Sequence, residues 1–270
     1  MLDKKFKIGG LCIILLFCLG GAGITIFQLR KTSSQEKLSQ QIIDPVAPDS
    51  SVKDGDVMVY KFKNYDMTIV SFVGSFDFIY KPSQDLSVEA VATKSNYRYM
   101  VNGSFFEASK EHAGWLSILG QGKTPIKEDK QLSHIIRYNP ETGVLSFVET
   151  KLFQPSTDKT NIEFQSGPLI IENNKVTKEY IEQSINGLLL FERTLLGYTE
   201  EDGRKYFIIT KNNVKLDELA DYLLRLSVFS GKTLNIVNLD GGSSVALYSQ
   251  THPEFSFNEA AILPILLGIK

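Results

Sequence analysis

The stretch Asn238-Leu239-Asp240-Gly241-Gly242-Ser243-Ser244 sets a carboxylate, two glycines and two hydroxyls between two apolar runs, residues 234–237 and 245–248. Asp-Gly and Gly-Gly supply the positive-φ residues of tight turns, so one reading is a β-hairpin. The other is a site where glycines let the backbone approach a ligand while Asp240 faces it. Arg193 lies between two further apolar runs, 188–191 and 195–198. A fixed positive charge is costly to bury there unless it is paired. It is either ion-paired with an acid such as Glu192, or a fork of donors for a phosphate. Asn102-Gly103-Ser104-Phe105-Phe106 reads as an Asn-Gly turn, or as a sugar contact by Asn102 with Phe105 or Phe106 as an apolar wall. In Gln165-Ser166-Gly167-Pro168, Gly167 either ends a strand or brings a backbone amide to a phosphate oxygen.

These residues need a rigid frame, and the surrounding pattern is mostly β-type. Runs at 57–62, 67–72, 99–101, 115–119, 134–138, 144–148, 162–165, 169–171, 206–210 and 234–239 are rich in Val, Ile, Phe and Tyr. Asn139-Pro140-Glu141-Thr142-Gly143 marks a turn. Residues 86–94 suit a short helix. A clearer helix spans 216–226, where Leu216, Leu219, Ala220, Leu223 and Leu224 recur on one face and Asn213 is the expected N-cap. Residues 260–269 are expected to close the chain as a buried strand. The pattern predicts an α+β fold: a strand-rich, mixed-sheet single domain with few helices over residues 56–270.

Composition narrows the partners. The chain has 270 residues and a formal net charge of -2, which argues against a nucleic-acid binder. His112, His134 and His252 are scattered and form no metal-ligand spacing, so no metal site is expected from them; a calcium ion held by Asp240 and nearby carbonyls is the reading left open. Cys12 and Cys18 both fall in the amino-terminal apolar run, so the predicted domain has no disulfide.

That amino terminus has its own character. Lys4, Lys5 and Lys7 precede an uncharged, largely apolar run at 8–29, closed by Arg30 and Lys31. About 20 apolar residues suffice to cross a bilayer, so residues 1–31 are read as a cytoplasmic tip and transmembrane signal anchor. A cleaved signal peptide is the competing reading, with Gly20-Gly21-Ala22-Gly23 near a cleavage point. The lysine bias puts the remainder outside, giving a single-pass protein of the cell membrane with an extracytoplasmic carboxy-terminal domain. Residues 32–55, rich in Ser, Gln, Asp and Pro, are read as a flexible stalk.

Four stations, in order, resemble the phosphodiester glycosidase family: Asn102-Gly103-Ser104-Phe105-Phe106, Gln165-Ser166-Gly167-Pro168, Arg193-Thr194 with Gly197, and Asn238 through Ser244. The resemblance covers about residues 57–270. It implies a hydrolase that cleaves a sugar-1-phosphodiester and needs no organic cofactor. In that frame Arg193, with the amides of Gly167, Gly241 and Gly242, holds the phosphate. Asp240 stands beside the anomeric carbon as base or nucleophile. Asn102, Asn238, Ser243 and Ser244 orient the sugar, and Gly103, Ser166 and Thr194 complete the substrate site. Glu107 and Glu192 are candidates for a second carboxylate. With an anchor, the expected substrate is a carbohydrate or sugar phosphate of an envelope glycan or exopolysaccharide. The alternative is a non-catalytic glycan-binding or exopolysaccharide-assembly protein on the same scaffold.

Overall fold

The computed structural model describes residues 45–84, 87–258 and 263–270. The proposed membrane segment and most of the proposed stalk lie outside the described residues. Among the described residues, no helix is long and apolar enough to cross a membrane.

The chain begins with β1 (Ser50–Asp54), β2 (Val57–Phe62), β3 (Met67–Phe72) and β4 (Asp77–Tyr80), then α1 (Val88–Ser95) and β5 (Tyr99–Asn102). A run of short strands follows: β6 (Leu116–Ile118), β7 (Gln121–Thr124), β8 (His134–Tyr138), β9 (Leu145–Glu149), β10 (Ile162–Ser166), β11 (Leu169–Glu172) and β12 (Lys175–Val176). Two short helices, α2 (Lys178–Gln183) and α3 (Ile185–Leu188), lead into the longest hairpin, β13 (Phe191–Thr199) and β14 (Lys205–Val214). Then come α4 (Leu216–Leu223), β15 (Leu234–Asn238), β16 (Ala246–Ser249), β17 (Phe257–Asn258) and β18 (Ile265–Ile269).

Three sheets result. The largest has the order β1-β2-β3-β14-β13-β15-β11-β12, the second β7-β6-β10-β8-β9, and the third β17-β16-β5-β18-β4. The pairs within all three are antiparallel, so the mixed sheet expected from sequence is corrected. A parallel pair needs a crossover of a dozen or more residues, usually a helix, and the helices here are few and short.

The large sheet is buried on both faces. Val70, Phe207, Leu196 and Val237 pack against Leu116, Ile136 and Phe164 of the second sheet and Val101, Leu247 and Leu267 of the third. Its other face, with Ile69, Ile208, Leu195 and Ile236, is covered by Leu216, Leu219 and Leu223 of α4 and Ile181 of α2. Burial on both faces is why every residue of β3 and β15 is buried, the polar Thr68, Ser71, Asn235 and Asn238 included, with no alternation of buried and exposed positions. The third sheet turns Met100, Ala246 and Leu266 toward Val88 and Ala92 of α1.

Two boundaries differ from the sequence reading. Ser50–Asp54 pairs with β2 as an edge strand, so this part of the segment assigned to the stalk belongs to the sheet. The N-cap position of α4 is Lys215, not Asn213, because β14 stays in the ladder as far as Val214.

Candidate active site

The site lies where the chain passes from one sheet to another. β15 belongs to the large sheet and β16 to the third, so residues 239–245 join two sheets and the hairpin reading is excluded. Backbone hydrogen bonds fix the crossing at both sides. Leu239 N donates to the Thr194 carbonyl on β13 at 2.9 Å, and Asp240 N donates to the Gly103 carbonyl just after β5 at 3.2 Å.

Asn102 locks the seam. Its Nδ2 donates to the Asp240 carbonyl at 2.8 Å, while its Oδ1 accepts from Thr194 Oγ1 at 2.6 Å and from Ala246 N at 3.1 Å. One buried amide thus ties β5, β13, the start of β16 and the Asp240 backbone. Ser166 and Gly167 serve Asn238 in the same way. Ser166 Oγ and Gly167 N both donate to the Asn238 carbonyl, at 2.8 and 3.1 Å. Gly167 has φ +150, and a Cβ there would lie 2.6 Å from the Gln131 carbonyl oxygen, so only glycine fits.

A cavity of about 200 Å³ opens in front of this seam, lined by Phe105, Phe191, Arg193, Asn238, Asp240 and Gly241 through Ser243. Arg193 is 1% exposed. Its Nε and Nη2 donate to the Val214 carbonyl at 3.3 and 3.2 Å, and Nη2 also to the Leu189 carbonyl at 2.6 Å. The guanidinium carbon lies 5.3 Å from the centre of the Phe191 ring. Thr210 Oγ1 takes the Arg193 backbone N–H at 2.9 Å. Burial lowers the Arg193 pKa to about 10, so the group keeps its charge at neutral pH.

Asp240 is half-buried: the cavity mouth gives it some solvent, but protein surrounds the carboxyl group. Desolvation pushes its pKa up to about 6, against the opposing hydrogen bonds from Ser244 and the Gly241 amide. The Gly241 N–H donates to Oδ1 at 2.9 Å. Asn238 is 1% exposed, and its Nδ2 is committed to the Gly167 and Leu239 carbonyls at 3.0 and 2.8 Å. That fixes the amide orientation. Its Oδ1 is left buried without a hydrogen-bond partner. A buried acceptor in this state is costly until a donor reaches it.

The residues singled out from sequence therefore divide into two layers. Arg193, Asn238, Asp240, Gly241, Gly242 and Ser243 line the cavity, and Ser244 touches Asp240. Asn102, Gly103, Ser166, Gly167 and Thr194 are buried behind that lining. For Asn102 this corrects the expected sugar contact, since both its oxygen and its nitrogen are engaged with protein. For Gly167 and Gly241 the hydrogen bonds correct the expected phosphate contact of the amides, since the Gly167 N–H is directed at the Asn238 carbonyl and the Gly241 N–H at Asp240 Oδ1. Glu107 is exposed and ion-paired with Lys127 at 2.7 Å, and neither it nor Glu192 lines the cavity. Asp240 is the one carboxylate among the described lining residues. Phe191 was not singled out from sequence; its place two residues before Arg193 on a strand was the available signal.

An antiparallel α+β domain with a buried arginine and a carboxylate of raised pKa in one small cavity is the outline of a hydrolase of anionic substrates. The family model for phosphodiester glycosidase matches residues 95–267, and the chain belongs to that family. It is a hydrolase of glycosyl-phosphodiester linkages. Its fold is similar to that of the catalytic domain of zebrafish N-acetylglucosamine-1-phosphodiester alpha-N-acetylglucosaminidase, auto-inhibited by its pro-peptide. The two share 15% identity and a TM-score of 0.56 over 82% of this chain and 80% of that one. A hypothetical protein from Synechocystis has a similar fold, at 11% identity and a TM-score of 0.54 over 81% of this chain and 60% of that one. No curated protein matches the sequence.

Proposed function

We propose that this chain is a membrane-anchored, extracytoplasmic hydrolase that cleaves the bond between a sugar's anomeric carbon and a phosphodiester in an envelope glycan or glycopolymer. The observation that carries the chemistry is the meeting of Arg193, Asp240 and the unpartnered Asn238 Oδ1 in one cavity. The anchor and its outward orientation rest on the apolar run at 8–29 and its flanking lysines.

Arg193 receives the phosphate through its fixed positive charge, and hydrogen bonds from Nε and Nη2 to the Val214 and Leu189 carbonyls hold the guanidinium in place before substrate arrives. Asn238 Oδ1 accepts from a sugar hydroxyl or amide N–H. Asp240, ionised above about pH 6, takes a proton from the water that attacks the anomeric carbon. The C1–O bond breaks, its electron pair leaves with the phosphate monoester, and Arg193 stabilises the charge that develops. A phosphate leaves without a strong general acid, which fits a cavity whose described lining holds one carboxylate. The products are a free sugar and a phosphate monoester.

The test is hydrolysis of a sugar-1-phosphate methyl ester by the full chain. Release of free sugar supports the reading, and a folded protein inert toward a panel of such sugars contradicts it. Recovery in the membrane fraction, lost on deleting residues 1–31, tests the anchor separately.

A further inference from the structure

Beside the cavity, Ile185, Leu188, Leu189 and Leu190 are 62%, 57%, 46% and 54% exposed. Four large apolar side chains within six residues is more than a scatter of single exposed hydrophobics, which needs no explanation. Nor is the segment loosely attached. Gly187 is buried against α2, where a Cβ would overlap the Ile181 carbonyl, and its N–H donates to the Ser184 carbonyl at 3.0 Å. The Leu189 carbonyl accepts from Arg193 Nη2 at 2.6 Å. One residue past Leu190, Phe191 lines the cavity. The strap is thus held through its backbone, and its leucine side chains are left toward solvent at the edge of the site.

We infer that this strap is the aglycone surface: it takes an apolar chain esterified to the phosphate, so that the substrate is a sugar-1-phosphate joined to a lipid-like alcohol. The inference rests on the phosphodiester glycosidase reading of the cavity. A cavity of about 200 Å³ is smaller than the roughly 300–1,000 Å³ of ordinary ligand pockets, so a substrate larger than a sugar phosphate must extend outside it. The strap is continuous with the phosphate end of the site, because the guanidinium that holds the phosphate also holds the Leu189 carbonyl. A polar aglycone leaves these leucines against water, whereas an apolar one covers them. In the reaction, water's oxygen bonds to the anomeric carbon and the C1–O bond breaks. The alkyl phosphate then departs with its chain still on the strap.

The experiment compares methyl, hexyl and decyl esters of one sugar-1-phosphate on the full chain and on its Leu188→Gln/Leu190→Gln variant. Binding is measured on Asp240→Asn backgrounds, and turnover on the parent and the leucine variant. The decyl ester is expected to bind at least about tenfold more tightly than the methyl ester. That is a small part of the roughly fourfold available per fully buried methylene. The leucine variant is expected to lose that gain while hydrolysing the methyl ester at the parental rate, which also reports that it is folded. Affinity that does not grow with chain length, or a gain that survives both substitutions, overturns the assignment. Binding reads the strap whether or not turnover occurs. A chain-length gain without hydrolysis of any ester therefore upholds the strap and counts against the hydrolase reading alone.

Discussion

The side-chain amide of Asn102 donates to the backbone carbonyl of Asp240 at 2.8 Å, across the seam between two sheets. The residue that carries the reactive carboxylate is therefore positioned through its main chain, by a side chain that never reaches the cavity. Asn102→Ala strands the Asp240 carbonyl, the Thr194 hydroxyl and the Ala246 N–H. We expect a loss of about 3 kcal/mol in stability, each buried orphan costing about 1–3 kcal/mol less what relaxation recovers. Among molecules that remain folded, kcat falls more than KM rises, because the carboxylate and not the binding surface has moved. Thermal unfolding and steady-state kinetics check both parts.

The raised pKa of Asp240 predicts the acidic limb of activity. If the carboxylate must be ionised to accept water's proton, kcat/KM rises with pH and reaches half its plateau near pH 6. A profile flat from pH 4 to 8 removes Asp240 from the role of base.

The same shift has a stability consequence of opposite sign. The folded state holds the Asp240 proton up to about pH 6, whereas an unfolded chain releases it near 3.8. Folding stability from this group is therefore fully present below pH 3.8 and is lost as pH rises through 6. Asp240→Asn removes the cost of a buried charge. Two pKa units correspond to about 3 kcal/mol, and solvent at the cavity mouth reduces that to about 1–2 kcal/mol. The variant is expected to be inactive, yet more stable than the parent at pH 8 and not at pH 3.5. Denaturant titrations at the two pH values decide.

Gly241 packs on β13 so closely that a Cβ would lie 2.6 Å from the Glu192 carbonyl oxygen. Its backbone is extended, so the conflict is one of space and not of conformation. Gly241→Ala pushes the loop off β13 and carries Asp240 with it. We expect about 1–3 kcal/mol of destabilisation, as for other overpacked sites, and a larger proportional loss of kcat.

Arg193→Lys separates charge from geometry. Lysine keeps the positive charge but cannot bridge the Val214 and Leu189 carbonyls with a planar group, so the charge is no longer held at the same point. Loss of one aligned donor costs about a hundredfold to a thousandfold in kcat. Near-parental turnover in the lysine variant shows that only the charge matters.

How much of this was legible in the sequence depended on how local the signal was. β8 emerged at its true bounds because its run of Ile135, Ile136 and Tyr138 ends at an Asn-Pro-Glu-Thr-Gly turn. The apolar face of α4 was equally plain, with Leu216, Leu219, Ala220 and Leu223 all buried. Its start was not, since β14 continues through the polar Lys211, Asn212 and Asn213 and ends at Val214, whose carbonyl Arg193 takes. That strand extension depends on a distant side chain. β1 was missed because an edge strand with little burial has the composition of a linker. The loop at 239–245 resembled a hairpin because nothing local records that its flanking strands enter different sheets. The four stations were visible as residue types. Their division into a lining and a layer behind it was not, because Asn102 and Ser166 look the same in sequence whether they touch a ligand or a carbonyl.

The central claim is that water attacks the anomeric carbon in the cavity shared by Arg193 and Asp240. It is tested most directly by hydrolysing a sugar-1-phosphate methyl ester in heavy-oxygen-labelled water, with Arg193→Ala and Asp240→Asn variants alongside. The account predicts label in the released sugar, none in the methyl phosphate, and no release by either variant. Label in the phosphate places the attack at phosphorus and contradicts a glycosidase. Sugar release undiminished in either variant contradicts the cavity.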